Sequence, residues 1–344
     1  MLQVVAERFG GPQVLRVVER PMPAPGPGQV RLRITSIGMN HADLMARRGE
    51  YRLSSGDPPF TPGLEAGGVI DAVGPGVTDR PMGQRVILGA GAPRSGQGSA
   101  DGGTYRSHYL CAADQAIPAP EAIPDEQLGA VWLPYLTAWG CLIWKQQLRS
   151  GQFVALPAAS SSVALAAAQI VRKAGGVSIG MTTKAEKAQK LRALRTCVYD
   201  HIVVTRQASG EGQTAWPNDL KRITHDHGVD VFMDPIAAGE FLSREVRCLA
   251  QGGTIWVYGL LGTLGLVNVY PLIRKSGSIR GWLINELIEA GSDALQRGYD
   301  QVLQGFTDGS FCQHVDRVFK LRDVQEAHEY MERGVHVGKL VLQP

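Results

Sequence analysis

Between residues 30 and 35 apolar and polar side chains alternate, with Val30, Leu32 and Ile34 on one side and Arg31, Arg33 and Thr35 on the other. That period of two predicts a strand with one buried and one wet face. Short apolar runs, Val69-Ile70 and Val86-Ile87-Leu88, follow between glycine- and proline-rich turns, so the first part of the chain reads as mostly β. The stretch 89–103, GAGAPRSGQGSADGG, has no period and predicts a mobile surface loop.

From about residue 124 the texture changes. Apolar strands are predicted at 153–156, 177–181, 201–205, 229–233 and 254–258. Between them lie helical stretches at 162–174, ended by Gly175-Gly176, at 184 to about 195, from near Pro217, and at about 240–250. Strands alternating with helices of this length imply βαβ units, hence an α/β fold with a parallel, doubly wound sheet. The tail after about residue 312 ends in a charged helical stretch at 323–333 and a strand at 339–342. Residues 254–273 have the length of a membrane span and no charge, but three glycines, Asn268 and Pro271 interrupt them. They read instead as a buried strand followed by a glycine-rich loop.

Composition fits this picture. A chain of 344 residues favours two domains, and with 44% hydrophobic and 19% charged residues each can bury a core. Lys plus Arg number 35 against 32 acids, with no block of like charge, so neither nucleic acid nor an anionic membrane is indicated as the partner. Five scattered cysteines without a C-x-x-C pair fit a reduced environment, and Glu7 and Arg8 break any apolar leader, which makes cytoplasm the expected location.

In an open parallel sheet the first strand-to-helix turn offers backbone N–H groups to an anion. Here that turn, residues 157–164 (PAASSSVA), contains no glycine. Ser160, Ser161 and Ser162 beside Val163 either reach a pyrophosphate or form a serine-rich helix cap. After the next strand an acid would bind a ribose 2′-OH and repel a 2′-phosphate. None is present: Thr182, Thr183 and Lys184 follow Met181. Thr183 and Glu186 have capping-box spacing. Lys184 and Lys187 in a first helical turn oppose the helix dipole by ~0.3–1 kcal/mol unless they bind a phosphate. Either solvation or phosphate contact accounts for them, and Arg206 beyond the third strand is a further candidate.

Several ordered segments resemble the zeta-crystallin-like quinone oxidoreductases of the medium-chain dehydrogenase/reductase superfamily over nearly the full length. They are GMNHAD at 38–43, RGEY at 48–51, PGLEAGGVI at 62–70, VGPGV at 73–77, GQRV at 83–86, PYLTAW at 134–139 and Gly338-Lys339. The resemblance implies a GroES-like β domain over 1–123 with a C-terminal return at 312–344, and a Rossmann domain over 124–311. It makes Asn40 and Tyr51 the catalytic candidates. Thr137, Thr183, Tyr258, Gly259, Leu260, Leu283 and Lys339 join the serine turn and the basic residues as candidates for NADPH. The turn departs from the family's A-G-G-V-G at Ser161, Ser162 and Ala164. Where zinc-dependent relatives carry a cysteine and a histidine this chain has Asn40 and Leu64, leaving Glu65 in register, so no zinc is expected.

The implied activity is hydride transfer from NADPH to a quinone or to the activated double bond of an α,β-unsaturated carbonyl. Tyr51 either supplies a proton or only positions the substrate. Alternatives are an enoyl-thioester reductase and a non-catalytic NADPH-binding protein of crystallin or RNA-binding type. A homodimer or tetramer is expected, with SIRGWLI at 278–284 as a sheet edge seeking a partner or as a segment buried in the monomer.

Overall fold

A computed structural model describes residues 1–51, 56–92, 102–196, 198–206 and 216–344, so most of the stretch read above as a surface loop lies outside the described residues. The chain divides into two compact units. One comprises Met1–Leu133, Leu303–Gly309 and Gln313–Pro344, the other Pro134–Val302 and Ser310–Cys312. The first boundary falls later than the change of texture at 124, because Asp125–Ala130 is seated on the β unit. Gly129 N–H donates to Ser36 Oγ at 2.7 Å, and a Cβ on Gly129 would come within 2.1 Å of the Ser36 carbonyl oxygen.

In the first unit β1 (Leu2–Ala6) pairs antiparallel with β2 (Leu15–Glu19). β3 (Gln29–Gly38) is the central strand of the larger sheet and pairs with β4 (Ala66–Val73), which continues to β5 (Arg85–Leu88). β6 (His108–Ala112) also pairs β3, and β7 (Ala116–Pro118) closes the β5 side. The alternation read from sequence is realised: Val30, Leu32 and Ile34 are buried while Arg33 is exposed.

The second unit is a six-stranded parallel sheet of β8 (Phe153–Pro157), β9 (Val177–Thr182), β10 (His201–Val204), β11 (Val229–Asp234), β12 (Leu249–Val257) and β13 (Ser278–Gly281), in the order β10-β9-β8-β11-β12-β13. This is the doubly wound dinucleotide-binding order, and the direction of winding reverses between β8 and β11. Ala155, Ile179, Phe232 and Ile255 from four strands pack with Trp216 and Val246 from flanking helices in its core. β13 is an edge strand, as expected for SIRGWLI, although Trp282 just beyond it is 2% exposed. Among the described residues no helix is long and apolar enough to cross a membrane. The chain then returns to the first unit as β14 (Val315–Lys320), the helix Val324–Glu332 and β15 (Lys339–Gln343), with β15 antiparallel to β3.

A buried polar network fixes the helix His41–Arg48 in the first unit. The Asp43 carboxyl accepts from the Asn40 N–H at 2.8 Å and from the Tyr105 hydroxyl at 3.2 Å. Tyr105 stands edge-on to the imidazole of His328, and Arg47 pairs with Glu332. Burial pushes the Asp43 carboxyl up to about 7, against the opposing pull of the Asn40 N–H, Lys339 and Tyr105, with Glu65 adding to the rise. Burial likewise pushes His328 down to about 3, with Arg47 and Arg48 adding to the effect.

In the unfolded chain Asp43 ionises near 3.8, so between that pH and about 7 the folded protein keeps a proton that the unfolded chain has released. This contribution to stability falls as pH rises, by about 1.4 kcal/mol per pH unit, and levels off above about pH 7. Asp43→Asn keeps a neutral acceptor and removes the slope. Denaturant melts at a series of pH values are expected to show the variant gaining on the wild type from about pH 4 to about pH 7 and then running parallel. The shared His328 cancels in that difference, and a constant offset over the range contradicts the assignment.

Candidate active site

In the first unit β3 ends at Gly38 and the chain turns at Asn40 into the helix His41–Arg48. Asn40 is the helix N-cap, yet its side-chain amide is turned toward β4 and β15. Its Nδ2 donates to Gly38 O and to Glu65 Oε1, both at 3.1 Å, and its Oδ1 accepts from Lys339 Nζ at 2.6 Å. The amide orientation is fixed by chemistry, since an ammonium only donates and a carboxylate only accepts. Lys339 also donates to Glu65 Oε1 at 2.5 Å, and the Leu133 N–H occupies Glu65 Oε2 at 3.0 Å. The ion pair is sealed, with side chains 1% and 2% exposed.

Lys339, expected from the resemblance to meet cofactor, has its ammonium engaged inside this unit by Glu65 and Asn40. Glu65, noted in sequence only for its register with a zinc family, is the hub that joins Asn40, Lys339 and Leu133. Tyr51 follows the same helix and is half-buried, and burial raises its phenol above the ordinary range.

In the second unit β8 leads into the helix Ser162–Lys173 through the glycine-free turn. Ala158 adopts φ +52°, a left-handed conformation that costs an alanine about 1 kcal/mol or more. The turn is pinned against that strain: Ala159 N–H donates to Met181 O at 3.0 Å, and Tyr199 OH to Ala159 O at 2.9 Å. Ser161 is the N-cap and accepts from Ala164 N–H at 3.2 Å, so the capping role is realised at that serine. Helix geometry leaves the N–H groups of Ser162 and Val163 without intrahelical acceptors. Ser160 accepts from Lys187 Nζ at 3.0 Å, which brings two residues predicted from separate segments together. Backbone N–H groups, serine hydroxyls and an ammonium form a donor set that suits a dinucleotide's pyrophosphate.

The capping box expected at Thr183 and Glu186 is displaced. β9 runs on to Thr182, and the helix Ala185–Ala193 has Lys184 as its N-cap with no side-chain cap bond, so Glu186 falls one position short of the reciprocal contact. Lys184 and Arg206 are exposed and Lys187 is half-buried.

Beyond β12, Tyr258 meets the side chain of Ser161, and burial raises its phenol far above the usual range. The close approach of Gly259 to the β11 exit is specific, because a Cβ there would lie 2.9 Å from Pro235 O. Leu260 and Leu283 are exposed. Thr137 is 9% exposed, and its carbonyl accepts from Trp282 Nε1 at 2.9 Å. A π-helix, Gly140–Lys145, begins three residues later. Among the described residues no group of three or more His, Cys, Asp or Glu could hold a metal.

Residues 26–121 match the family profile described as alcohol dehydrogenase GroES-like domain, and residues 199–342 the one described as zinc-binding dehydrogenase. The synaptic vesicle membrane protein VAT-1 homolog of Homo sapiens is 30% identical over 364 residues, covering 99% of this chain and 86% of its own. The 2-haloacrylate reductase of a Burkholderia species is 29% identical, with 100% and 99% covered. Among solved structures, Escherichia coli quinone oxidoreductase complexed with NADPH superposes with a TM-score of 0.82 at 26% identity, both chains being covered in full. With its GroES-like sheet, its 3-2-1-4-5-6 parallel sheet and these full-length relatives, the chain belongs to the medium-chain dehydrogenase/reductase superfamily, on the quinone oxidoreductase-like branch.

Proposed function

We propose that this protein is an NADPH-dependent oxidoreductase that reduces a quinone or the activated double bond of an α,β-unsaturated carbonyl, without zinc. The observation that carries the cofactor reading is the end of β9. It runs Thr182-Thr183-Lys184 with no acid, and the nearby Lys187 is tied to the phosphate turn through Ser160. When bound, the reduced nicotinamide supplies a hydride to an electron-poor carbon, whose conjugated carbonyl oxygen then takes up a proton. The names of the reductase relatives support an acceptor of that kind.

The residues of this chain bind and orient. The serine turn with Lys187 takes the pyrophosphate, and Lys184 the 2′-phosphate. Thr137 and residues 258–260 take the nicotinamide, with Leu283 beside it. Asn40 has both amide hydrogens engaged by Gly38 and Glu65, so it offers a substrate only its oxygen, held by Lys339. Tyr51, whose phenol is raised by burial, is a weaker acid than a free tyrosine and serves to position the substrate, while water provides the proton.

Two substitutions test the cofactor contacts. Lys184→Ala is expected to weaken NADPH about tenfold and leave NADH nearly untouched, since an exposed charge-assisted contact falls at the low end of ~1.5–3 kcal/mol. Lys187→Ala, acting through the shared phosphate turn, weakens both cofactors. Titration by protein fluorescence measures each, and equal affinities for all three proteins contradict the phosphate assignment.

Tyr51→Phe is expected to keep most of the single-turnover hydride-transfer rate, measured with 4-deuterated NADPH beside cofactor binding. A rate lowered by ~10²–10⁴ at unchanged binding makes Tyr51 the proton donor instead.

The edge strand β13 follows a run of exposed apolar side chains along the chain, Leu264, Leu266, Val269, Tyr270 and Ile273, of which Leu266 is 96% exposed. Such an edge is covered by a second copy, giving a dimer. Light scattering at micromolar concentration is expected to give twice the chain mass, and the single-chain mass excludes a stable dimer.

A further inference from the structure

The second unit buries two carboxyl groups against each other where β11 ends. Asp234 is 0% exposed, and its oxygens accept from the N–H groups of Ile236 at 2.6 Å and Ala237 at 2.9 Å. Glu245 reaches it from the helix Gly239–Cys248 and is also 0% exposed. Taken as a carboxylate, Glu245 finds no donor for either oxygen, and the polar group it meets is the Asp234 carboxyl. Two acceptors bond only if one carries a proton. Two uncompensated charges at this depth would be strongly unfavourable.

Among the described residues the surroundings supply no cation to change that account. On the same helix Arg244 is paired with Glu240 at 2.6 Å, Arg247 is exposed, and burial pushes the Cys248 thiol up to about 12. From the helix Trp216–Ile223 the packed group is the Trp216 ring against Phe241, while Lys221 and Arg222 point to solvent and Asp219 pairs with Arg222. From the helix Pro271–Lys275, Lys275 Nζ is bound to the Leu249 carbonyl. From beyond β12, Tyr258 faces Asp234 and Ser161 as a neutral phenol. Desolvation, with Asp234 beside it, holds the Glu245 carboxyl well above its ordinary range.

The turn this pair shapes supports the exit of β12. Asp234 O accepts from Tyr258 N–H at 3.0 Å, Pro235 O from Leu261 N–H at 2.9 Å, and Ile236 O from Gly262 N–H at 2.8 Å. Ala237 in that turn holds φ +50°. The Asp234 carboxylate fixes the turn by capping the N–H groups of Ile236 and Ala237, and Glu245 is the group that keeps Asp234 in place.

We propose that Glu245 is a neutral carboxylic acid whose proton is shared with Asp234, and that through this bond it is a positioning residue for the β12 exit, residues 258–262. Its bearing on cofactor rests on the function proposed above, which assigns residues 258–260 to the nicotinamide; the bond itself does not.

The test compares wild type with Glu245→Gln and Glu245→Leu in the full chain. In the unfolded protein Glu245 ionises near 4.5, so a proton kept in the fold makes wild-type stability fall with rising pH while the glutamine variant escapes the fall. Denaturant melts are expected to show the folding constant of Glu245→Gln, relative to wild type, rising about tenfold per pH unit from about pH 5 upward. A ratio that does not change with pH means an ionised Glu245 and overturns the proposal. Should the glutamine variant not fold, the infrared spectrum at about pH 7 must show a protonated carboxyl band that persists in Asp43→Asn, and its absence there overturns the proposal equally. For positioning, Glu245→Leu is expected to bind NADPH about tenfold more weakly, and Glu245→Gln, which keeps a donor, to recover most of that loss. Equal binding by Leu, Gln and wild type rejects the positioning role. Failure of the wild type to bind NADPH at all rejects the proposed function and leaves the proton to be judged by the melts.

Discussion

The first unit is organised around one buried ion pair, Glu65 with Lys339. Removing either partner would leave a charge without compensation, a loss of ~3–5 kcal/mol in comparable buried pairs. The pair earns its desolvation through the neighbours that satisfy it: Asn40 bonds to both members, and Leu133 N–H takes the second glutamate oxygen. Four segments far apart in sequence meet there, namely the end of β3, the start of β4, the segment after Ala130 and the first residue of β15. Asn40 owes its fixed orientation to this arrangement, so the geometry of a candidate catalytic residue and the closure of the sheet are set by the same charges.

The second unit uses a different device at the turn after β8. Where such a turn commonly relies on glycine, this one relies on pinning: Ala158 is held left-handed, and the strain is offset by bonds from Ala159 to Met181 and from Tyr199 to Ala159. The small serine and alanine side chains keep the backbone accessible, which is the property glycine otherwise provides. Across the point where the winding reverses, the acid pair Asp234 and Glu245 shapes the facing turn. Both sides of the switch point are thus held by local hydrogen bonds.

Much of this was legible in the sequence because it is local. The alternation at Val30, Leu32 and Ile34 and the strand–helix rhythm from Phe153 onward follow from periodicity, and the ordered motifs carry the family. Boundaries were less legible, since β9 extends one residue past Met181 and shifts the helix cap from Thr183 to Lys184. The links that define the candidate site are long-range. Glu65 and Lys339 stand 274 residues apart, and nothing in either neighbourhood announces the other. Glu245 lies in an ordinary amphipathic helix and reads as a surface glutamate until the fold turns it inward. The pairing of Lys187 with Ser160 was accessible only as two separate guesses about phosphate.

The position of β15 has a consequence for the order in which the chain is completed on the ribosome. β3 precedes the parallel sheet along the chain, but the strand that covers its far side, and the lysine that neutralises Glu65, are made only after it. All six strands of the parallel sheet are synthesised in between. Domains fold as units during synthesis, and contacts this distant in sequence form late. The second unit, although it comes later along the chain, is therefore the first able to finish, while the β unit waits with an uncovered edge and an unpaired buried acid. That interval is when a nascent chain of this design most needs shielding from its neighbours.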